Sequence, residues 1–273
     1  MTNRQRAPKS KETFSSARLT AADFDNTIAL TAEPSPAGVG VNEAYELAID
    51  TVFDSDQLSI YRQNGGLRNR APLEVVSELM PDAYATEIKT KEHELNKAKL
   101  DVLLGEIGTR FANGQLWPRP VPGYLEFRER LHDSRDEGIR VDDAVISSGH
   151  ESFIKKTFDV WAISYPTHIV AVETLDRVGR GYAVKPSSEV MDVTRGFWRI
   201  GYGLPFWQDA SAEELSRIIY TGDDPVKDGG LAANSGVSFI HMPDVHSSRE
   251  RWHSVATRSG LIEAVARGFL THG

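Results

Sequence analysis

The chain has no cysteine among its 273 residues, which excludes disulfides and thiolate metal sites and leaves carboxylates and eight histidines as side-chain ligands for a hard or borderline metal. It also lacks long apolar runs. No stretch approaches the length of a membrane span, and the basic opening MTNRQRAPKSKETFSSAR is not followed by the hydrophobic segment of a signal peptide. Positive charge is in deficit, with 31 Lys and Arg against 39 Asp and Glu, a formal charge of -8 and a pI near 5.5. That balance argues against a broad surface for nucleic acid but allows a local basic pocket for a small anion. No internal repeat is evident. The expectation is a cytoplasmic protein with a flexible tail over residues 1–16. A 40% hydrophobic composition and a mean hydropathy of -0.36 suit one large domain or two modest ones with a sizeable core.

The order of apolar patterns separates two textures. Arg18 to Phe24 has a strand's length and a polar exit. After the loop EPSPAGVG, Val41, Tyr45, Ala48, Ile49, Val52 and Phe53 recur at helical spacing behind a cap expected at Asn42. Ala71 to Met80 also reads as helix, and Ile88, Leu95, Leu103 and Ile107 mark a longer one. The segment WPRPVPG at 117–123 is a boundary, because prolines this dense cannot sit within a helix or a central strand. A helix is expected from Tyr124 to about Asp136. Strands then alternate with helices: Ala144 to Ile146, Thr167 to Val172, Arg217 to Thr221 and Val237 to His241. This alternation predicts a mainly parallel, Rossmann-like α/β sheet flanked by helices, with ETLDRVGRGYAV as a hairpin or flap. The predicted domains are a core from 17–30 and 118–273 and a helical insert over 31–117.

Ligand sites in open parallel sheets lie beyond the carboxyl ends of the strands. The first strand ends in DFDNT, where Asp23 and Asp25 are two residues apart; two such charges about 4 Å apart repel by roughly 4 kcal/mol at an effective dielectric near 20. A bound cation would offset that cost, and a solvated Asp-Asn turn is the other reading. The second ends in VISSGH, so that Ser147, Ser148 and Gly149 present hydroxyl and backbone N–H groups either to an anion or as an ordinary helix cap. The Arg217 to Thr221 strand ends in TGDDPVKD, where Asp223, Asp224 and Asp228 make either a capped turn or a set of hard oxygen ligands suited to magnesium.

In this order, DFDNT, ISSG and GDDPVKD resemble the motifs of the haloacid dehalogenase (HAD) superfamily, over essentially all of residues 18–268. The resemblance implies that Asp23 is the nucleophile attacking phosphorus and Asp25 the acid and base serving the leaving group and water. Ser147, Ser148 and Gly149 would hold the phosphate. The metal, Mg2+, would be bound by Asp23, the backbone of Asp25 and Asp223, with Asp224 and Asp228 as further ligands or supports. Retention of an acid at position 25 favours phosphatases over the dehalogenases of the superfamily. For the cation that neutralises phosphate, the Arg-Gly of VTRGFWRI, read as the start of a helix after the hairpin, selects Arg195 by likeness to phosphoserine-phosphatase-like members, with Lys185 in AVKPSS as the alternative.

The insert falls where such proteins carry a C1 cap, which excludes water and selects the substrate. Within it, Glu33, Arg68 and Arg70 are the residues available to read an amine, carboxylate or second phosphate; solvated loop charges are the competing reading. The resulting expectation is a magnesium-dependent phosphomonoester hydrolase acting on a small phosphorylated metabolite through an aspartyl-phosphate. A phosphotransferase or phosphomutase using the same residues is the first alternative, and a non-catalytic metal-binding scaffold the second.

Overall fold

The computed structural model describes residues 9–66, 72–136, 140–181 and 183–261. Five strands, Arg18–Asp23 (β1), Val141–Ile146 (β2), His168–Val170 (β3), Ile218–Gly222 (β4) and Ser238–His241 (β5), form one parallel sheet in the order β3-β2-β1-β4-β5. The helices follow in chain order as Lys11–Phe14 (α1), Val41–Val52 (α2), Ser55–Gln63 (α3), Pro72–Leu79 (α4), Ala85–Ala112 (α5), Tyr124–Asp136 (α6), Glu151–Val160 (α7), Val172–Arg177 (α8), Ser188–Ile200 (α9), Ala212–Ser216 (α10), Lys227–Ser235 (α11) and Ser248–Arg258 (α12). The chain divides into two compact units, one of Met1–Leu30, Pro120–Lys155 and Ser164–Gly273, the other of Thr31–Arg119 and Lys156–Ile163.

In the first unit β1 occupies the middle of the sheet, and its last five residues are buried, as expected of a strand covered on both faces. Leu19 and Ala21 join Ile146, Val170, Trp198, Ile218, Tyr220 and Leu231 in a core beneath α9 and α11. Alternation sends Thr20 and Ala22 to the other face. Helices α6 and α12 pack there, with Trp252 set against Tyr124 and Phe127 at ring distances of 5.0 and 4.9 Å. Trp198 is wholly buried, and its truncation to Ala would leave a cavity costing about 3–5 kcal/mol.

Four local expectations change. Residues 10–16 are not a loose tail: Phe14 is buried against Trp198 and Tyr202, and Lys9 donates to Asp142 Oδ1 at 2.6 Å. Strand β2 begins at Val141, not Ala144, because both of its acids are satisfied inside. Asp142 also accepts from Trp198 Nε1 (3.1 Å) and Tyr202 OH (2.7 Å), while Asp143 pairs with Arg128 and accepts from Thr167. The expected flap is instead a helix, α8, followed by a turn, since VETLDR continues helically before its glycines. Finally, α2 starts one residue before Asn42: Gly40 is the cap, and its N–H donates to Glu43 Oε2 at 2.9 Å.

The second unit is helical. Tyr45, Ala48, Ile49, Tyr61, Val75, Val76, Leu79 and Leu95 form its core, drawn from α2 to α5. Helix α3, missed by periodicity because Tyr61 alone among its residues is buried, is capped by Asp54, which accepts from the N–H groups of Asp56 and Gln57. The 28-residue α5 runs about 42 Å. Among the described residues no helix is long and apolar enough to cross a membrane.

Candidate active site

Three carboxylates converge beyond the strand ends. Asp23 ends β1, Asp223 follows β4 and Asp228 sits in the first turn of α11, and their ligand oxygens lie within 4.8 Å of one another. Glycine at 222 is what lets them meet, since a Cβ there would lie 2.3 Å from Asp228 Cγ. Each carboxylate pair at this separation repels by roughly 3 kcal/mol at an effective dielectric of about 20.

One ammonium lies among them. Lys185 Nζ donates to Asp23 Oδ1, to Asp228 Oδ1 at 2.8 Å and to Tyr220 OH at 3.4 Å, and its side chain is only 7% exposed. Tyr220 in turn donates to Asp228 Oδ1 at 2.8 Å, closing a ring of Lys185, Tyr220 and Asp228. Asp228 Oδ2 accepts from the Asp224 N–H at 3.1 Å. Burial raises the Asp23 pKa well above the usual carboxylate range; Lys185 opposes that shift, and Asp228 and Asp25 reinforce it. For Lys185 burial works against the charged form, but Asp23, Tyr220 and Asp228 outweigh it and keep the ammonium protonated. Asp223 is raised too, by burial and by Asp228.

The loop after β1 is built to turn at once. Asn26 adopts a left-handed φ of 56°, and the Ile28 and Ala29 N–H groups both return to the Phe24 carbonyl. This brings Thr27 Oγ1 to 3.4 Å from Asp223 Oδ1 and leaves Asp25 half-buried, near enough to raise the pKa values of Asp23 and Asp223. After β2, Ser147 is buried and its hydroxyl accepts the Gly149 N–H at 2.9 Å, while Ser148 is exposed.

Other residues singled out by sequence stand elsewhere. Arg195 does not reach Asp23: it lies in the middle of α9, buried, at 3.3 Å from Glu214 and 3.4 Å from Asp192. The helix begins at Ser188, seven residues earlier than the Arg-Gly pattern suggests. Gly196 has a different cause, since a Cβ there would lie 2.7 Å from the Phe206 ring. Lys185 is the cation against Asp23. Asp224 turns away, accepting from the N–H groups of Val226 (2.8 Å) and Lys227 (2.9 Å). Glu33 lies in the helical unit, paired with Arg119. Arg68 and Arg70 fall outside the described residues.

Sequence reasoning missed two members of the site. Tyr220 reads as one more apolar strand residue. His241, at the end of β5, places Nε2 3.0 Å from the Asp223 carbonyl oxygen, and the rule that strand ends carry chemistry points to it.

No protein-family model matches the chain, and no curated protein matches it. Solved structures do. CbbY from Rhodobacter sphaeroides, solved in complex with phosphate, matches with a TM-score of 0.51 at 14% identity, over 83% of this chain and 86% of that one. The sheet order, the position of Asp23 at the end of the central strand and this likeness decide the fold. The chain has a HAD-like α/β fold. Among HAD proteins, a phosphatase from Thermococcus onnurineus matches at 11% identity over 85% of this chain and 96% of that one, with a TM-score of 0.49. A subfamily IA HAD hydrolase from Geobacter sulfurreducens matches at 14% identity over 88% and 97%, with a TM-score of 0.43.

Proposed function

We propose that this HAD-fold chain is a magnesium-dependent phosphomonoester hydrolase working through an aspartyl-phosphate on Asp23, with a small phosphorylated metabolite as substrate. The observation that carries the proposal is the cluster itself: three carboxylates within 4.8 Å around one ammonium, at the carboxyl end of the central strand.

The all-oxygen donor set of Asp23, Asp223 and Asp228 fits magnesium, which takes one or two carboxylates together with phosphate oxygens and water. These residues would hold the ion, which when bound offsets the crowded negative charge and polarises the phosphoryl group. Asp23, whose ionised form Lys185 favours against the effect of burial, attacks phosphorus. The P–O bond to the leaving group breaks as Asp25 gives that oxygen a proton. Water then attacks phosphorus while Asp25 takes its proton, releasing phosphate and restoring the Asp23 carboxylate. Lys185 offsets charge on Asp23 and on the incoming phosphoryl oxygens. Ser147 supports the phosphate: its oxygen already accepts the Gly149 N–H, which leaves the hydroxyl proton free to donate elsewhere.

In this reading the helical unit of Thr31–Arg119 serves as the cap that selects the leaving group, and Glu33, Arg68 and Arg70 remain proposed contributors. Assay against a panel of phosphorylated metabolites, with magnesium and with excess chelator, tests the proposal. The expected result is release of inorganic phosphate from at least one ester only when magnesium is present. Undiminished turnover in chelator refutes the metal role, and transfer to an added alcohol in place of water reassigns the chain as a phosphotransferase.

A further inference from the structure

The loop proposed to hold the phosphate spans only Ser147 to His150 between the end of β2 and the start of α7, so its amides point wherever the first turn of α7 is anchored. That anchor comes from outside the loop. Glu173, in the first turn of α8, divides its carboxylate between two neighbours: Oε1 lies 2.8 Å from His150 Nδ1, and Oε2 accepts the Glu151 N–H at 3.0 Å. The adjacent Val172 N–H donates to the Gly149 carbonyl at 3.3 Å. The tie is reciprocal, because the Glu151 carboxylate accepts from Thr174 Oγ1 and from Arg177, both at 3.3 Å.

We infer that Glu173 is a positioning residue for the phosphate loop, acting through His150 and Glu151 to fix the Ser147 hydroxyl and the Ser148 and Gly149 amides. Core packing does not explain it, since its side chain is 40% exposed and α8 has just six residues. Partial burial works to raise its pKa, yet the bonds from His150 and from the Glu151 backbone outweigh that and bring it down to about 2. The carboxylate is therefore ionised wherever the protein is folded and active. It also takes up the first amide of α7, leaving that of Ser148 to an incoming anion while the Gly149 N–H bonds the Ser147 hydroxyl. Displacements of about 1 Å in such a loop cost up to roughly a hundredfold in rate or binding.

The inference rests on the phosphatase reading, and the test separates the two. Inorganic phosphate affinity is measured by calorimetry with magnesium present, alongside KM and kcat for an aryl phosphate, for the full-length protein, Glu173→Ala and Glu173→Gln. Glu173→Ala is expected to weaken phosphate and raise KM by roughly tenfold each, with kcat changed less than about threefold. Glu173→Gln, which keeps an oxygen acceptor of the same shape, is expected to recover most of the loss and keeps the test open should the alanine variant not fold. Unchanged phosphate affinity and KM in Glu173→Ala overturn the inference, as does a loss confined to kcat. A wild-type protein that binds phosphate but hydrolyses no ester removes the phosphatase reading while the binding comparison still decides the role of Glu173. A wild-type protein that binds no phosphate removes both.

Discussion

Two buried clusters of charge in the first unit are built on opposite terms. Around Glu214, the guanidinium groups of Arg195 and Arg199 approach at 3.3 and 2.6 Å, and Arg199 also donates to the Pro205 carbonyl and to Gln208. With Asp192 at 3.4 Å from Arg195, two guanidinium groups there meet two acids and charge is balanced. At the strand ends one ammonium faces Asp23, Asp223 and Asp228, so acid is in surplus and the Asp23 and Asp223 pKa values are pushed up. A charge-balanced ionic cluster is a structural part. A surplus of one sign, held in place by the fold, is what an ion of opposite charge and a reacting group require.

The contrast can be broken most decisively at Asp23. Asp23→Asn is expected to lose all measurable turnover, because an amide cannot form the acyl phosphate, while the metal-free fold gains stability from the loss of a buried, repelled charge. The sign follows from the raised pKa: the penalty is absent below the ordinary value of 3.8, where Asp23 is protonated in both states, and grows as pH rises through the folded value. Melting curves in chelator across pH check this. A variant no more stable than wild type at neutral pH would mean that Lys185 already compensates the site in full.

Exchanging the two clusters' cations sharpens it further. Lys185→Ala should lower kcat by about 10²–10³-fold, the scale of losing a charged donor at a developing phosphoryl charge. Arg195→Ala should leave kcat near wild type and instead cost about 2 kcal/mol of stability, because Arg199 still holds Glu214. Parallel kinetics and denaturant titrations of the two variants distinguish the roles, and a crippled Arg195→Ala with an active Lys185→Ala would reverse them.

The smallest expected effect is at Tyr220. Tyr220→Phe removes one donor to Asp228 while leaving the ammonium's other two bonds, so about 1 kcal/mol, roughly fivefold in kcat/KM, should be lost. A loss as large as that of Lys185→Ala would give the hydroxyl a direct part in the chemistry.

The strands were legible because a buried parallel strand ends abruptly where polar residues begin, and DFDNT, VISSG and TGDD each show that break. Two kinds of information were not legible. Buried acids satisfied by distant partners, such as Asp142 with Lys9, Trp198 and Tyr202, look in sequence like the residues before a strand. The choice between Lys185 and Arg195 likewise depends on where α9 begins, and Ser187, which caps it by accepting the Glu189 N–H, precedes the Arg-Gly pair by eight residues. A glycine that accommodates the Phe206 ring has the same letter as one that starts a helix. His241 and Tyr220 join the site through the sheet order β1-β4-β5, which no local pattern encodes.

The most direct test of the account is where the phosphoryl group goes. Asp25→Asn protein is incubated with an aryl phosphate and magnesium, quenched, reduced with borohydride to trap any acyl phosphate, and digested for mass spectrometry. The account predicts the modification on Asp23 alone, and its disappearance when Asp23 is also changed to Asn. A modification on any other residue, or its survival in the double variant, would contradict the assignment of Asp23 as nucleophile.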